Sequence, residues 1–244
     1  MTDDFSWARS APAVAVREAI AGGILGPLMD LYTRRRIAGR ESLERVPPPV
    51  IFVANHASHM DAPAILRALP RNWRRRTAMA AAADYFYRKP LRAFLVSLAF
   101  NTVAVARRGE RAQDATSELG ALIAGGWSLV IFAEGTRSRD GNIGRLHSGA
   151  AVLAAQHDLP IVPVYVRGTH AVMPPGRRWM SWARGGLLPR RRPIEVRFGP
   201  PIRPRAGEHR TDVMERVRLF FHASGAITTP DKRVLAARRR SATV

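Results

Sequence analysis

The stretch Val50-Ile51-Phe52-Val53-Ala54-Asn55-His56-Ala57-Ser58-His59-Met60-Asp61 decides how this chain is read. Five consecutive apolar residues are too short for a helix of ordinary length and unalternating, as in a strand buried on both faces. A polar turn follows at once. Pro63 then marks the first turn of a helix, where a missing N–H costs nothing. A strand ending in a polar turn that enters a helix is the unit of an α/β sheet, and such turns at the carboxyl edge are where α/β proteins bind ligands.

Working outward, comparable apolar runs recur at Thr102 to Ala106, Ser128 to Ala133, Ile161 to Val166 and Ile194 to Phe198. Between them, Ala112, Ala115, Leu119, Leu122 and Ile123 recur at the spacing of one helix face over Glu110 to Gly125, and Gly125-Gly126 supplies the stop. Further helices are predicted over Gly149 to Gln156 and Thr211 to Ala223. The expectation is a mixed central sheet flanked by helices. Pro47-Pro48-Pro49 marks a boundary, which divides the chain into an N-terminal helical segment (1–45), a central domain (46–205) and a C-terminal helix with a basic tail (206–244). Residues 12–32 read as one amphipathic helix interrupted by Gly22-Gly23, with Arg34-Arg35-Arg36 behind it, and the tail from Thr228 as a frayed basic extension.

The chain has 244 residues, 39 Lys and Arg against 19 Asp and Glu, and a formal charge of +20. That excess favours anionic partners: nucleic acid, phosphorylated substrates or an anionic lipid surface. The absence of cysteine excludes disulfides, thiolate metal sites and thiol nucleophiles. No apolar run approaches the roughly 18 residues of a spanning helix, and the opening Met1-Thr2-Asp3-Asp4 is unlike a secretory signal, so a peripheral location on the cytoplasmic face of the membrane is expected. Residues 173–193 mix Trp179, Trp182, Leu187 and Leu188 with six arginines. Such a loop suits a headgroup layer or, alternatively, a nucleic-acid backbone. No helix-turn-helix, RNA-binding or zinc-finger signature accompanies it.

Two strand ends carry chemistry. His56 and Asp61 lie too far apart to face each other on a helix but can meet across a turn, where a carboxylate on one imidazole nitrogen leaves the other free to take a proton. Asp61 could also be the N-cap of the helix from Ala62, a role compatible with this one, and His59 is a rival base. After the run 128–133, Glu134-Gly135-Thr136-Arg137-Ser138 places a glycine turn beside a hydroxyl and an arginine, the ingredients of a phosphate cradle, with Glu134 placed to orient the arginine or a ligand hydroxyl.

In this order the two elements resemble the glycerophosphate acyltransferase family, including the bacterial 1-acyl-sn-glycerol-3-phosphate acyltransferases. The family's asparagine-histidine-x-serine-x-x-aspartate motif is met at Asn55, His56, Ser58 and Asp61, and it selects His56 over His59. Its phenylalanine-proline-glutamate-glycine-threonine-arginine-serine motif is met at Phe132, Glu134, Gly135, Thr136, Arg137 and Ser138, with Ala133 in place of the proline. Arg107 matches the arginine that ends the second motif, whose initial glycine is missing and whose preceding acidic residue is Ala106 here. Ile161-Val162-Pro163-Val164 is similar to the fourth motif, and His147 stands where many members carry lysine.

The resemblance covers roughly residues 46–203. It implies a membrane-associated enzyme of phospholipid biosynthesis with His56 and Asp61 catalytic. Arg107, Glu134, Gly135, Thr136 and Arg137 would bind the substrate phosphate, supported by Asn55, Ser58 and Ser138. It also implies acyl-CoA or acyl carrier protein as the acyl donor, a lysophospholipid acceptor, and neither metal nor cofactor. Other acceptors of the same chemical kind (another lysophospholipid, a lyso-ornithine lipid or a glycolipid) fit the same motifs. A basic nucleic-acid-binding module is the alternative from another class.

Overall fold

The computed structural model describes residues 5–82, 90–105, 111–183 and 189–227. Seven strands form one sheet in the order β1-β7-β6-β2-β5-β3-β4. They are β1 (Thr33–Ala38), β2 (Ile51–Ala54), β3 (Thr77–Ala82), β4 (Thr102–Val105), β5 (Ser128–Phe132), β6 (Ile161–Arg167) and β7 (Arg192–Phe198). Strands β2 to β6 run parallel; β7 lies antiparallel to β6 and carries β1 parallel to itself, so the sheet is mixed. The helices are α1 (Ala11–Ile20), α2 (Gly26–Tyr32), α3 (Asp61–Ala68), α4 (Arg71–Arg74), α5 (Pro90–Phe100), α6 (Arg111–Ala124), α7 (Gly149–Gln156), α8 (Thr169–Val172) and α9 (Arg210–Ala223).

The unalternating run of β2 is explained by its place at the centre of the sheet. Ile51 and Val53 enter a core that also holds Leu122 and Ile123 of α6, Leu153 of α7 and Val217 and Phe221 of α9. Val50, Phe52 and Ala54 point the other way, into a second core with Ala64, Ile65 and Leu66 of α3 and Trp73. Side chains of successive strand residues alternate between faces, so a strand between two cores must be apolar at every position.

Two strands escaped the sequence reading. β3 is Thr-Ala-Met-Ala-Ala-Ala, whose composition favours helix; it is a strand because it fills the slot between β4 and β5. β1 contains Arg34, Arg35 and Arg36, which were expected as a basic cluster trailing a helix. They pair with Pro193, Ile194 and Glu195 at the sheet edge, where a charged strand is tolerated because one side meets water. The helix expected over 12–32 is present as α1 and α2, continuous through a π turn at Ala21–Leu25, the site of Gly22-Gly23. The expected basic tail from Thr228 lies outside the described residues.

Charged pairs hold these N-terminal helices to the domain. Arg74 forks onto Glu18 with both distances 2.7 Å, and Arg67 reaches Asp30 at 2.9 and 3.1 Å. Arg17 is buried, at 3% exposure, and donates to the carbonyls of Ala8, Ser97 and Leu98, with its pKa lowered to about 10 by burial. Replacing it by methionine keeps the stem and strands those carbonyls. Arg17→Met is therefore expected to lower unfolding free energy by about 1–3 kcal/mol in urea titration, and an unchanged midpoint would show that the carbonyls find other partners.

Candidate functional site

Because β6, β2 and β5 are parallel neighbours, the turns at their carboxyl ends converge on one edge. The turn after β2 lies between the other two. Asn55 continues the ladder with its side chain: Nδ2 donates to the Val166 carbonyl at 2.9 Å, and Oδ1 accepts from the Val166 N–H at 2.7 Å. This fixes where the chain leaves the sheet. His56 comes next, stacked on Phe132 at the end of β5 with ring centroids 4.0 Å apart.

Asp61 opens α3 yet faces backwards. Its Oδ2 accepts the N–H groups of Ala57 at 2.7 Å and Ser58 at 2.9 Å, and lies 2.9 Å from His56 Nδ1. Its Oδ1 accepts the hydroxyl of Thr169. The carboxylate thus closes the turn that precedes its helix instead of capping the helix itself, and Asp61 is not its N-cap. Ser58 reinforces the turn, donating from Oγ to the Met173 carbonyl and accepting from the Met60 N–H. Asp61 is fully buried while the His56 side chain keeps 18% exposure. With Nδ1–H committed to Asp61, Nε2 is the nitrogen that presents a lone pair.

From the β5 side, Gly135 turns the chain at φ +66°, a conformation that excludes most other residues. The Ser138 N–H donates to the His56 carbonyl at 2.7 Å, so the two motifs are stitched directly together. Thr136 is exposed, and Arg137 Nη1 lies 2.6 Å from His59 Nε2. His59, the rival base, therefore adjoins the arginine of the cradle. Ser138 Oγ donates to Asp140 and braces the following loop. His147, whose N–H donates to the Ala133 carbonyl, packs beside Gly135.

Glu134 has partners other than those expected. Its Oε1 accepts the His56 N–H and its Oε2 the Gly144 N–H, both at 2.8 Å, so it pins the base's own backbone rather than Arg137. Burial pushes its pKa up, against the pull of those two N–H groups. Arg107, expected at the end of the second motif, lies outside the described residues, as do Leu187 and Leu188 of the Trp–Arg loop. Thr169 was not singled out in the sequence. Its one local signal is that Gly168-Thr169 follows an apolar strand, as the other two turns do.

The model of the acyltransferase family matches residues 34–167. A 1-acyl-sn-glycerol-3-phosphate acyltransferase of Limnanthes douglasii is 32% identical over 154 residues, 62% of this chain and 50% of that protein. The chloroplastic 1-acyl-sn-glycerol-3-phosphate acyltransferase LPAT1 of Arabidopsis thaliana is 30% identical over 146 residues, 59% of this chain and 39% of that protein. The chain thus spans about half the length, or less, of the curated relatives it matches. In fold it is similar to the crystal structure of the 1-acyl-sn-glycerophosphate acyltransferase PlsC from Thermotoga maritima. That likeness has a TM-score of 0.62 and 22% identity, and it covers 91% of this chain and 84% of that one.

Glu134 yields a test of the site's framework. Between the ordinary glutamate pKa and its raised one, the folded protein binds more protons than the unfolded chain, so its contribution to stability falls as pH rises across that window. Glu134→Ala removes this slope and orphans two N–H groups, at about 1–3 kcal/mol for each donor left dry. Urea unfolding across the acidic range should show a lower and flatter curve for the variant; curves of equal height would mean that water replaces the carboxylate.

Proposed function

Given that the chain belongs to the acyltransferase family, we propose that it transfers a fatty acyl group from acyl-CoA or acyl carrier protein to the hydroxyl of a lysophospholipid. The leading acceptor is 1-acyl-sn-glycerol-3-phosphate, which appears in the names of the relatives above, and the product is then phosphatidic acid. The observation that carries the reading is the 2.9 Å contact between His56 Nδ1 and a fully buried Asp61 at the carboxyl edge of the central strand.

Asp61 holds the imidazole so that His56 Nε2 takes the proton of the acceptor hydroxyl as its oxygen attacks the thioester carbonyl. The tetrahedral intermediate collapses, the C–S bond breaks, and the imidazolium returns the proton to the departing thiolate. An ester and a free thiol result, with no covalent enzyme intermediate. Arg137 supplies a guanidinium fork for the acceptor phosphate, and the turn at Gly135 and Thr136 leaves the approach open. Holding the phosphate at a fixed distance from Nε2 positions the hydroxyl for attack.

The reaction works on lipids, and the surface offers a means of reaching them. Among the described residues no helix is long and apolar enough to cross a membrane. Val16, Ile24 and Leu31 of the N-terminal helices, and Leu91, Phe94 and Leu95 of the adjoining α5, are exposed. Trp7 stacks on Phe94 at 4.7 Å, tying the two elements together. Exposed Trp179 donates to the Tyr32 hydroxyl and Trp182 packs on the same ring at 4.6 Å, so the Trp–Arg loop is joined to the end of α2. Apolar side chains beside arginines suit peripheral attachment to an anionic leaflet.

Thiol release from oleoyl-CoA in the presence of 1-acylglycerol-3-phosphate is expected to depend on both the acceptor and His56, with His56→Ala at the uncatalysed background. Turnover within about tenfold of wild type would remove His56 as the base. Arg137→Ala should raise KM for the phosphorylated acceptor by about tenfold or more with little change in kcat, and an unchanged KM would discard the cradle. A panel of lysolipids then ranks acceptors. Co-sedimentation with phosphatidylglycerol vesicles should weaken as salt rises, because arginine–headgroup attraction is screened, whereas salt-independent binding would mean apolar insertion alone.

A further inference from the structure

Asp61 faces His56 on one oxygen and Thr169 on the other, and Thr169 comes from a part of the chain 108 residues away. Nothing in the motif around His56 requires that partner. Thr169 is fully buried at the start of α8, directly behind β6. Gly168 delivers it there: at φ +87° the chain leaves the strand sharply, and a Cβ at that position would lie 2.3 Å from the Pro193 carbonyl oxygen. Only glycine permits this exit. The same segment accepts the Ser58 hydroxyl at Met173 and the Asn55 amide at Val166, so 166–173 forms one wall of the base's pocket. The β5 loop with Glu134 and Ser138 forms the other.

We infer that Thr169 is a positioning residue for the base, its hydroxyl fixing the Asp61 carboxylate so that Oδ2 stays on His56 Nδ1. The inference rests on the reading of His56 and Asp61 as the base pair. Two backbone N–H groups and the imidazole hold Oδ2, but with no donor on Oδ1 the carboxylate keeps some rotation about its Cβ–Cγ bond, which loosens the aim of Oδ2 at Nδ1. A donor on Oδ1 removes that freedom. The hydroxyl also withdraws charge from the carboxylate. The charged groups that face His56 are Asp61 within its own turn and Glu134 from β5, and of these only Asp61 touches Thr169.

The test is acceptor-dependent thiol release from oleoyl-CoA, followed across pH for wild type, Thr169→Val, Thr169→Ser and Thr169→Ala. Valine preserves the shape and deletes the hydroxyl. It is expected to lower kcat roughly 10- to 100-fold, part of what a well-held general base contributes, with acceptor KM within about twofold. The acid limb of kcat/KM, which reports the base in the free enzyme, should be displaced from its wild-type position. Serine restores both kcat and the limb. Alanine is the second hydroxyl-free variant and carries the test if valine is not accommodated in the fold.

In an Asp61→Asn background, Thr169→Val should add little further loss, since the group it positions is already changed. Thr169→Val with wild-type kcat and an unmoved acid limb overturns the inference, and so does a serine variant as impaired as valine. If His56→Ala retains turnover, the base reading itself falls. If His56→Ala is inactive while Thr169→Val is unimpaired, only the role of Thr169 falls.

Discussion

A carboxylate moved out of water loses several kcal/mol of hydration, and it is tolerated only where donors replace that water. Asp61 is such a group. It is fully buried, and its two oxygens collect two backbone N–H groups, a threonine hydroxyl and an imidazole N–H. Meeting that demand dictates much of the surrounding architecture. The backbone N–H groups require the tight turn after β2. The hydroxyl requires the left-handed exit at Gly168. The imidazole must therefore lie at the sheet edge with its other nitrogen facing outward. One electrostatic requirement thus links three loops that are far apart in sequence.

The parallel order β6-β2-β5 makes that convergence possible. Loops after parallel neighbours emerge on the same side, whereas antiparallel neighbours would send them to opposite ends. Asn55 and Glu134 then set the loops against each other through the backbone. One extends the ladder to β6, and the other spans from β5 to the N–H groups of His56 and Gly144. Because these bonds end on main-chain atoms, they fix the course of both turns and not only the side chains on them.

The arginines divide into two populations. Arg17, Arg67 and Arg74 serve attachment: they bond to carbonyls or carboxylates across the seam between the N-terminal helices and the domain. Satisfying the polar groups of that seam from inside leaves apolar side chains to face outward along α1, the π turn and α5, as Val16, Ile24 and Phe94 do. Arg137 is placed differently, half-exposed beside His59, where a planar fork suits an anion better than the point charge of lysine.

The sequence by itself determined the strands that lie between two cores, since the middle positions of β2, β5 and β6 must be apolar to be buried on both faces. It determined α6 by its periodic face, and also α7 and α9, each placed within one residue of its bounds. It also placed the polar turn with His56 and Asp61 immediately behind a strand, where local spacing and residue type carry the information. Tertiary structure alone decided the rest. An alanine-rich segment became β3 and an arginine-rich one became the edge strand β1, because pairing with neighbours outweighs weak local propensity. Glu134 was given to backbone N–H groups and not to Arg137. Thr169 met Asp61 because the carboxyl ends of parallel strands share an edge, a proximity set by the order of strands in the sheet and invisible in the order of residues along the chain.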